Sequence, residues 1–120
     1  MQSVNVINFT KNNSKTIHAI CCNNFICKLK GLMFKDHIKS DEGIIFVNNK
    51  DSIIDSSIHM FFMKFYISIF WVSKDFIIVD KKFAKRWHPL YYPKYKAKYT
   101  IETHICNYDN FSIGDKLAFE

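Results

Sequence analysis

The feature that most constrains this chain is a strict alternation near its C-terminal end. Tyr95, Ala97, Tyr99, Ile101, Thr103 and Ile105 take every second position, and Lys94, Lys96, Lys98, Thr100, Glu102 and His104 fill the places between. A period of two sends successive side chains to opposite faces of a strand, so this stretch predicts a half-buried β-strand with one wet face. Such a strand needs partners, and therefore a sheet. Composition agrees: twelve Phe, six Tyr and two Trp stand against three Gly and two Pro, which suits large rings packed between pleated surfaces. With 120 residues, 48% of them hydrophobic and 23% charged, the chain has the balance of a folded domain with room for one core. Residues 1–120 are read as a single domain, without internal repeat or linker.

The rest of the chain carries mostly strand signals. Val4, Val6 and the run to Phe9, then Ile17, Ala19 and Cys21, predict two strands joined by a turn at Asn12-Asn13. From Asn24 the spacing of Phe25, Ile26, Leu29 and Leu32 becomes helical, with Asn23 or Asn24 as cap and Gly31 as terminator. Ile44 to Val47 is a compact strand, and Asn48 to Ser57 reads as a polar loop. Ile58 to Phe65 and Ile67 to Val72 read as core strands, and Ser73-Lys74-Asp75 as a hairpin turn into Phe76 to Val79. Pro89 and Pro93 bracket an irregular loop. A turn over 110–115 leads to a last short strand, 116–119. The expected fold is mainly β, a compact sandwich or barrel-like domain with one short helix over about 24–31.

Two features bear on location. Met1 to Phe9 mixes polar and β-branched residues without the basic start and apolar stretch of an export signal, so a cytoplasmic protein is expected. The longest apolar run, Ile58 to Val72, is broken by His59, Lys64, Tyr66 and Ser68 and falls short of the roughly 20 residues of a membrane helix.

Four segments in order resemble the DUF192 family of uncharacterised proteins. Lys30-Gly31-Leu32-Met33-Phe34-Lys35 is close to its G-L-M-F-R signature, and 41–47, Asp-Glu-Gly-Ile-Ile-Phe-Val, to its D-E-G-M-L-F-V segment. His59-Met60-Phe61-Phe62-Met63-Lys64-Phe65 is similar to its H-T-F-F-M-R-F strand, and Lys85-Arg86-Trp87 with a final Ile113-Gly114-Asp115 turn completes the set. The resemblance covers about 17–120 and takes in all three glycines, Gly31 as a helix cap and Gly43 and Gly114 as turns. The chain departs from the family where P-I-D usually follows the F-F-M-R-F strand: Tyr66-Ile67-Ser68 stands there, so Ser68 replaces a carboxylate. The resemblance implies a compact β-sandwich or barrel-like domain and transfers no activity. Many family members also carry an export signal or anchor.

Reaction machinery is not evident. No dinucleotide, P-loop, nucleophile-elbow or zincin motif occurs, and no cofactor or metal is expected. Cys21, Cys22, Cys27 and Cys106 lack C-x-x-C spacing and a suitably placed histidine, so four reduced thiols are expected. His59, alone in an apolar stretch, is the pattern of a hydrogen-bonded core histidine. Glu102, on the expected wet face, is the pattern of a solvated partner for lysines, although the family motif also ends in a matching Glu. Together in one pocket, these two would make an enzyme.

The charge pattern says more. Seven of the seventeen Lys and Arg residues (Lys81, Lys82, Lys85, Arg86, Lys94, Lys96 and Lys98) fall in 81–98 with no Asp or Glu among them, whereas the remainder sets 10 basic against 11 acidic residues. Interleaved are Trp87, Tyr91, Tyr92 and Tyr95. The expected function is a non-enzymatic binding module for a protein, peptide or small molecule, contacted through Arg86, Trp87, His88, Tyr91 and Tyr92. The alternative partner is nucleic acid, held by the six lysines of the basic segment.

Overall fold

The alternating segment becomes the centre of a curled sheet. The computed structural model describes residues 2–11, 15–23, 27, 31–33, 35–52, 56–58, 60, 63–87 and 90–120. Among them seven strands form: β1 (Ser3–Asn8), β2 (Ile17–Cys22), β3 (Glu42–Ser52), β4 (Ile67–Val72), β5 (Ile78–Ala84), β6 (Ala97–His104) and β7 (Leu117–Phe119). They lie in the order β5-β4-β6-β3-β2-β1-β7, a half-barrel, with a 3-10 helix at Ile105–Asn110. The expected mainly β class holds.

Every neighbouring pair is antiparallel except β2 and β3. A parallel pair cannot be closed by a tight turn and requires a crossover. The chain between β2 and β3 supplies it and lays Leu32, Met33 and Ile38 over one face of the sheet, against Met60, Ile69 and Trp71. The opposite, inner face gathers Val6, Ile17, Ile45, Phe70, Ile101 and Phe111. β4 is buried along its whole length and divides its side chains between these cores, Ile67, Ile69 and Trp71 to one and Phe70 and Val72 to the other. Burial on both faces explains why its sequence is an unbroken apolar run up to Val72, interrupted only by Ser68.

The sheet curls far enough for its ends to touch. Ile78 N–H donates to the Asp115 carbonyl (3.0 Å), Gly114 N–H to the Ile78 carbonyl (2.8 Å), and Leu117 N–H to the Phe76 carbonyl (2.8 Å). Phe76 sits here at φ 66, and its ring stacks on Tyr99 at 5.4 Å and meets Phe119 edge-on at 5.3 Å. Asp115 accepts from Asn8 Nδ2 and Ser112 N–H, both at 2.8 Å. Burial alone would raise its pKa, but these bonds and nearby Lys11 outweigh it and hold the carboxylate below its usual range. The Gly114-Asp115 turn is thus a closure of the half-barrel.

Three sequence expectations are corrected. Asn48 to Ser52 continues β3, with a register shift after Val47, instead of opening a polar loop. The expected strand over 58–65 is reduced to a single bridge between Ile58 and Tyr91, and its other described residues are irregular. Met60 and Met63 are nonetheless buried, because this stretch covers the second core and adds no rung to the sheet. The four cysteines are not all thiols: Cys22 and Cys27 form a disulfide with sulfurs 2.10 Å apart, leaving Cys21 and Cys106 free. The bridge ties the start of the crossover to the end of β2. Of the expected helix, Asn24 to Ile26 and Lys28 to Lys30 lie outside the described residues, as does Phe34; Cys27 is helical. The hairpin after β4 forms, but β5 begins at Ile78, two residues later than Phe76.

Gly31 has φ 48, and its N–H donates to the Cys27 carbonyl at 2.8 Å. A Cβ there would come within 3.3 Å of the Phe46 ring and 3.5 Å of Glu102 Oε1. Gly31→Ala should therefore lower unfolding free energy by about 1–2 kcal/mol in urea titration, and an unchanged midpoint would contradict this account. Denatured, unreduced protein should titrate two thiols, rising to four after reduction. Four before reduction would remove the disulfide.

Candidate functional site: an anchored loop with exposed aromatic and basic side chains

The chain between β5 and β6 is irregular, yet its backbone is fastened at several points. Asp80, buried in β5, accepts from Lys81 N–H at 2.8 Å through Oδ1 and from Lys94 N–H at 2.9 Å through Oδ2, so one carboxylate ties the far end of the loop back to β5. Tyr91 exchanges two backbone hydrogen bonds with Ile58 (2.6 and 2.8 Å), and its hydroxyl accepts from Lys85 N–H at 2.9 Å. Trp87 N–H donates to the Met60 carbonyl at 2.8 Å. The described backbone is anchored while the side chains between the anchors point outward. Trp87 is 55% exposed, Tyr92 60% and Tyr95 64%, with Leu90, Lys85, Arg86, Lys94 and Lys96 exposed beside them.

Trp87 is held at φ 62, a left-handed conformation that disfavours a bulky L-residue by roughly 1–2 kcal/mol. The same conformation at Phe76 is offset by ring packing with Tyr99 and Phe119. At Trp87 it turns an indole towards solvent.

The expected site residues separate into two groups. Arg86, Trp87 and Tyr92 are all exposed, with the Arg86 guanidinium 5.8 Å from the Tyr66 ring centre. Tyr91 is half-buried and braces the loop. His88 and His59 lie outside the described residues. The six lysines also divide. Lys81 Nζ donates to the Tyr108 and Phe111 carbonyls (2.9 and 3.1 Å), and Lys98 Nζ to the Asn48 carbonyl (2.8 Å), so both are turned inward. Lys82 is half-buried, and Lys85, Lys94 and Lys96 are exposed. Asp80, the residue that organises the loop, escaped sequence reasoning because a single acid beside a run of lysines is normally a solvated counter-charge.

Glu102 is not on a wet face. It is 5% exposed, and on the same face of β6 Thr100 Oγ1 is buried with no hydrogen-bond partner among the described residues. β6 lies between β4 and β3, where Glu102 stands in register with Ile69 and Ile44. The Gly31 turn of the crossover lies over Glu102 on this side of the strand, while Lys98 and His104 at either end of the same face are half-buried. Burial pushes the Glu102 carboxyl from its ordinary value near 4.5 up to about 8.

Two grooves, about 460 and 430 Å³, open elsewhere. One is lined by Asn5, His18, Lys39, Asp41 and Glu42, the other by Phe9, Phe76, Tyr99 and Phe119. Neither includes Glu102 or Trp87.

A raised carboxyl pKa has a definite sign in stability. Below about pH 4.5 folded and unfolded chains both hold the proton, and Glu102 contributes no pH dependence. Between there and about pH 8 only the folded chain keeps it, so stability falls as pH rises. Glu102→Gln should flatten that fall, gaining on the wild type by on the order of a few kcal/mol at most between pH 5 and pH 8 in urea unfolding. Parallel pH profiles for the two proteins would show that Glu102 is ionised in the native state.

Comparison with known proteins agrees with the fold. The pattern of the DUF192 family, described as uncharacterized ACR, matches residues 6–119. A UPF0127 protein of Thermococcus sibiricus is 32% identical over 117 residues, covering 96% of this chain and 74% of that protein. Another from Thermococcus gammatolerans is 36% identical over 97 residues, covering 81% of this chain and 61% of that protein. A UPF0127 protein of Pyrococcus furiosus is 32% identical over 116 residues, covering 95% and 97%. Among solved structures, a protein of unknown function from Novosphingobium aromaticivorans superposes with a TM-score of 0.82 at 18% identity, covering 97% of this chain and 83% of that one. A second, described as a candidate transcription regulator from Sinorhizobium meliloti, gives 0.83 at 15% identity, covering 98% of this chain and 92% of that one. The order of motifs, the matched span and the shared half-barrel lead to one conclusion: this chain belongs to the DUF192 family, whose curated members carry the name UPF0127.

Proposed function

We propose that this protein is a binding module without a reaction of its own, which takes a protein, peptide or small-molecule ligand on the loop over 85–96. The observation that carries this reading is Trp87, an indole 55% exposed on a left-handed, backbone-anchored residue. Strain of this kind persists where the surrounding structure enforces it, and it concentrates at ligand contacts. Trp, Tyr and Arg are also the residues that dominate binding energy at interfaces, and a pre-ordered loop avoids the entropy loss of ordering on contact.

Two observations favour this reading over its rivals. An enzyme built on Glu102 would need access to its carboxyl, which lies beneath the Gly31 turn. A nucleic-acid module would need a row of phosphate contacts, and Lys81 and Lys98 are committed to carbonyls of the fold. The Cys22–Cys27 disulfide weighs against the cytoplasmic location expected from the sequence, since thiols there are kept reduced. The binding reading is independent of compartment.

The test is amide-resolved NMR during titration with a mixed library of small fragments and short peptides. Shifts should gather at Trp87, Tyr92 and Tyr95 and vanish in Trp87→Ala at an unchanged melting temperature. Hits gathering around either groove, or none, would refute it. Titration with a thymidine 20-mer separates the nucleic-acid reading. If Lys85, Arg86, Lys94 and Lys96 each held a phosphate, affinity would fall roughly fiftyfold between 50 and 200 mM salt. We expect only weak binding, indifferent to Trp87→Ala.

A further inference from the structure

Beside the loop lies a row of rings that the binding reading leaves unused. Tyr66, just before β4, meets Phe83 of β5 edge-on at 5.8 Å, and Phe83 meets Tyr108 of the 3-10 helix edge-on at 6.0 Å. Tyr66 and Phe83 are both exposed. A cation stands at each end: the Arg86 guanidinium 5.8 Å from the Tyr66 ring centre, and Lys81 Nζ 4.1 Å from that of Tyr108. The strip runs directly into the loop through Arg86 and Trp87.

We propose that this strip, continuous with the loop, is the docking track for an acidic segment of a partner protein, bound extended with apolar side chains on the rings and carboxylates towards Lys85 and Arg86. The inference rests on the binding-module reading and names its ligand class. Three observations support it. The ring spacing is close to the roughly 6.6 Å between alternate side chains of an extended peptide, so consecutive apolar residues of an alternating segment reach consecutive rings. The residues 81–98 contain no acid, so a partner's carboxylates meet no like charge from this segment. Finally, Lys81 spends its ammonium on the Tyr108 and Phe111 carbonyls, which leaves the far end of the strip without a free cation for a phosphate chain.

The protein carries its own reporter, because Trp71 is fully buried and Trp87 is exposed. Acrylamide quenching of fluorescence therefore reads Trp87. The probes are an eight-residue peptide alternating Leu and Glu, its Leu-Gln counterpart, and a thymidine 12-mer. The Leu-Glu peptide should protect Trp87 from quenching, bind at least tenfold more weakly as the Leu-Gln version, and lose tenfold or more in affinity on Phe83→Ser and on Arg86→Ala, with melting temperatures held as controls. Affinity lost on Trp87→Ala but unaffected by Phe83→Ser would overturn the track and leave the loop reading standing. Tighter binding of the oligonucleotide than of the peptide would replace the partner class with nucleic acid. If no peptide protects Trp87, the acidic-partner inference falls, and the NMR titration decides the binding-module reading separately.

Discussion

The parallel pairing of β2 with β3 is the constraint on which the rest of this structure depends. Its register runs from His18 opposite Glu42 to Cys22 opposite Phe46, so the chain must leave the far end of β2 and return to the near end of β3. That return crosses one face of the sheet and turns a single-faced curl into a fold with two cores. It also decides the fate of β6, whose outer side would face water in a simple antiparallel barrel. Glu102 is buried because of a connection some seventy positions earlier in the chain, not because of its neighbours in sequence. The Cys22–Cys27 disulfide secures the same connection where it departs from the sheet.

On the opposite edge the economy is different. Asp80 has lost its solvent and recovers hydrogen bonds from two backbone amides, that of its neighbour Lys81 and that of Lys94, fourteen positions further along the chain. Tyr91 is braced against Ile58 and Lys85, so the described part of the loop is fastened to the fold on both sides of Leu90. The Lys85, Trp87, Tyr91 and Lys94 amides all have partners within the fold, and the side chains of Tyr92, Tyr95 and Lys96 remain exposed.

The parts of this architecture that could be read from sequence are those where local pattern and tertiary environment agree. The alternation of β6, the apolar run of β4, the terminator Gly31 and the basic, aromatic loop each satisfy a local rule that the fold also obeys. The misreadings arise where tertiary placement overrides the pattern. An apolar stretch such as 58–65 looks alike whether it forms a ladder or covers a core, and the fold uses it as cover. Polar residues at alternate positions imply water only while no connection lies over them, which fails at Thr100 and Glu102. A spacing of four residues between Cys22 and Cys27 matches no common motif, so their pairing appears only when the end of β2 and the crossover are seen side by side. Phe83 and Tyr108, far apart in the chain, become neighbours only because the 3-10 helix folds back towards β5.

β5 ends the sheet, and among the described residues it has no further strand beside it beyond its contacts with β4 and the Phe76–Ile78 closure. An uncovered edge of this kind is where a second copy of a chain would ordinarily add itself by hydrogen bonding. Here the Lys81 amide is already engaged by Asp80 and the Lys85 amide by the Tyr91 hydroxyl, while three lysines, Lys81, Lys82 and Lys85, line the same stretch. The bonds that fasten the loop therefore also take up two of the backbone donors that an incoming strand would need. The same two bonds make this end of the sheet a poor template for a further strand, although exposed rings lie beside it.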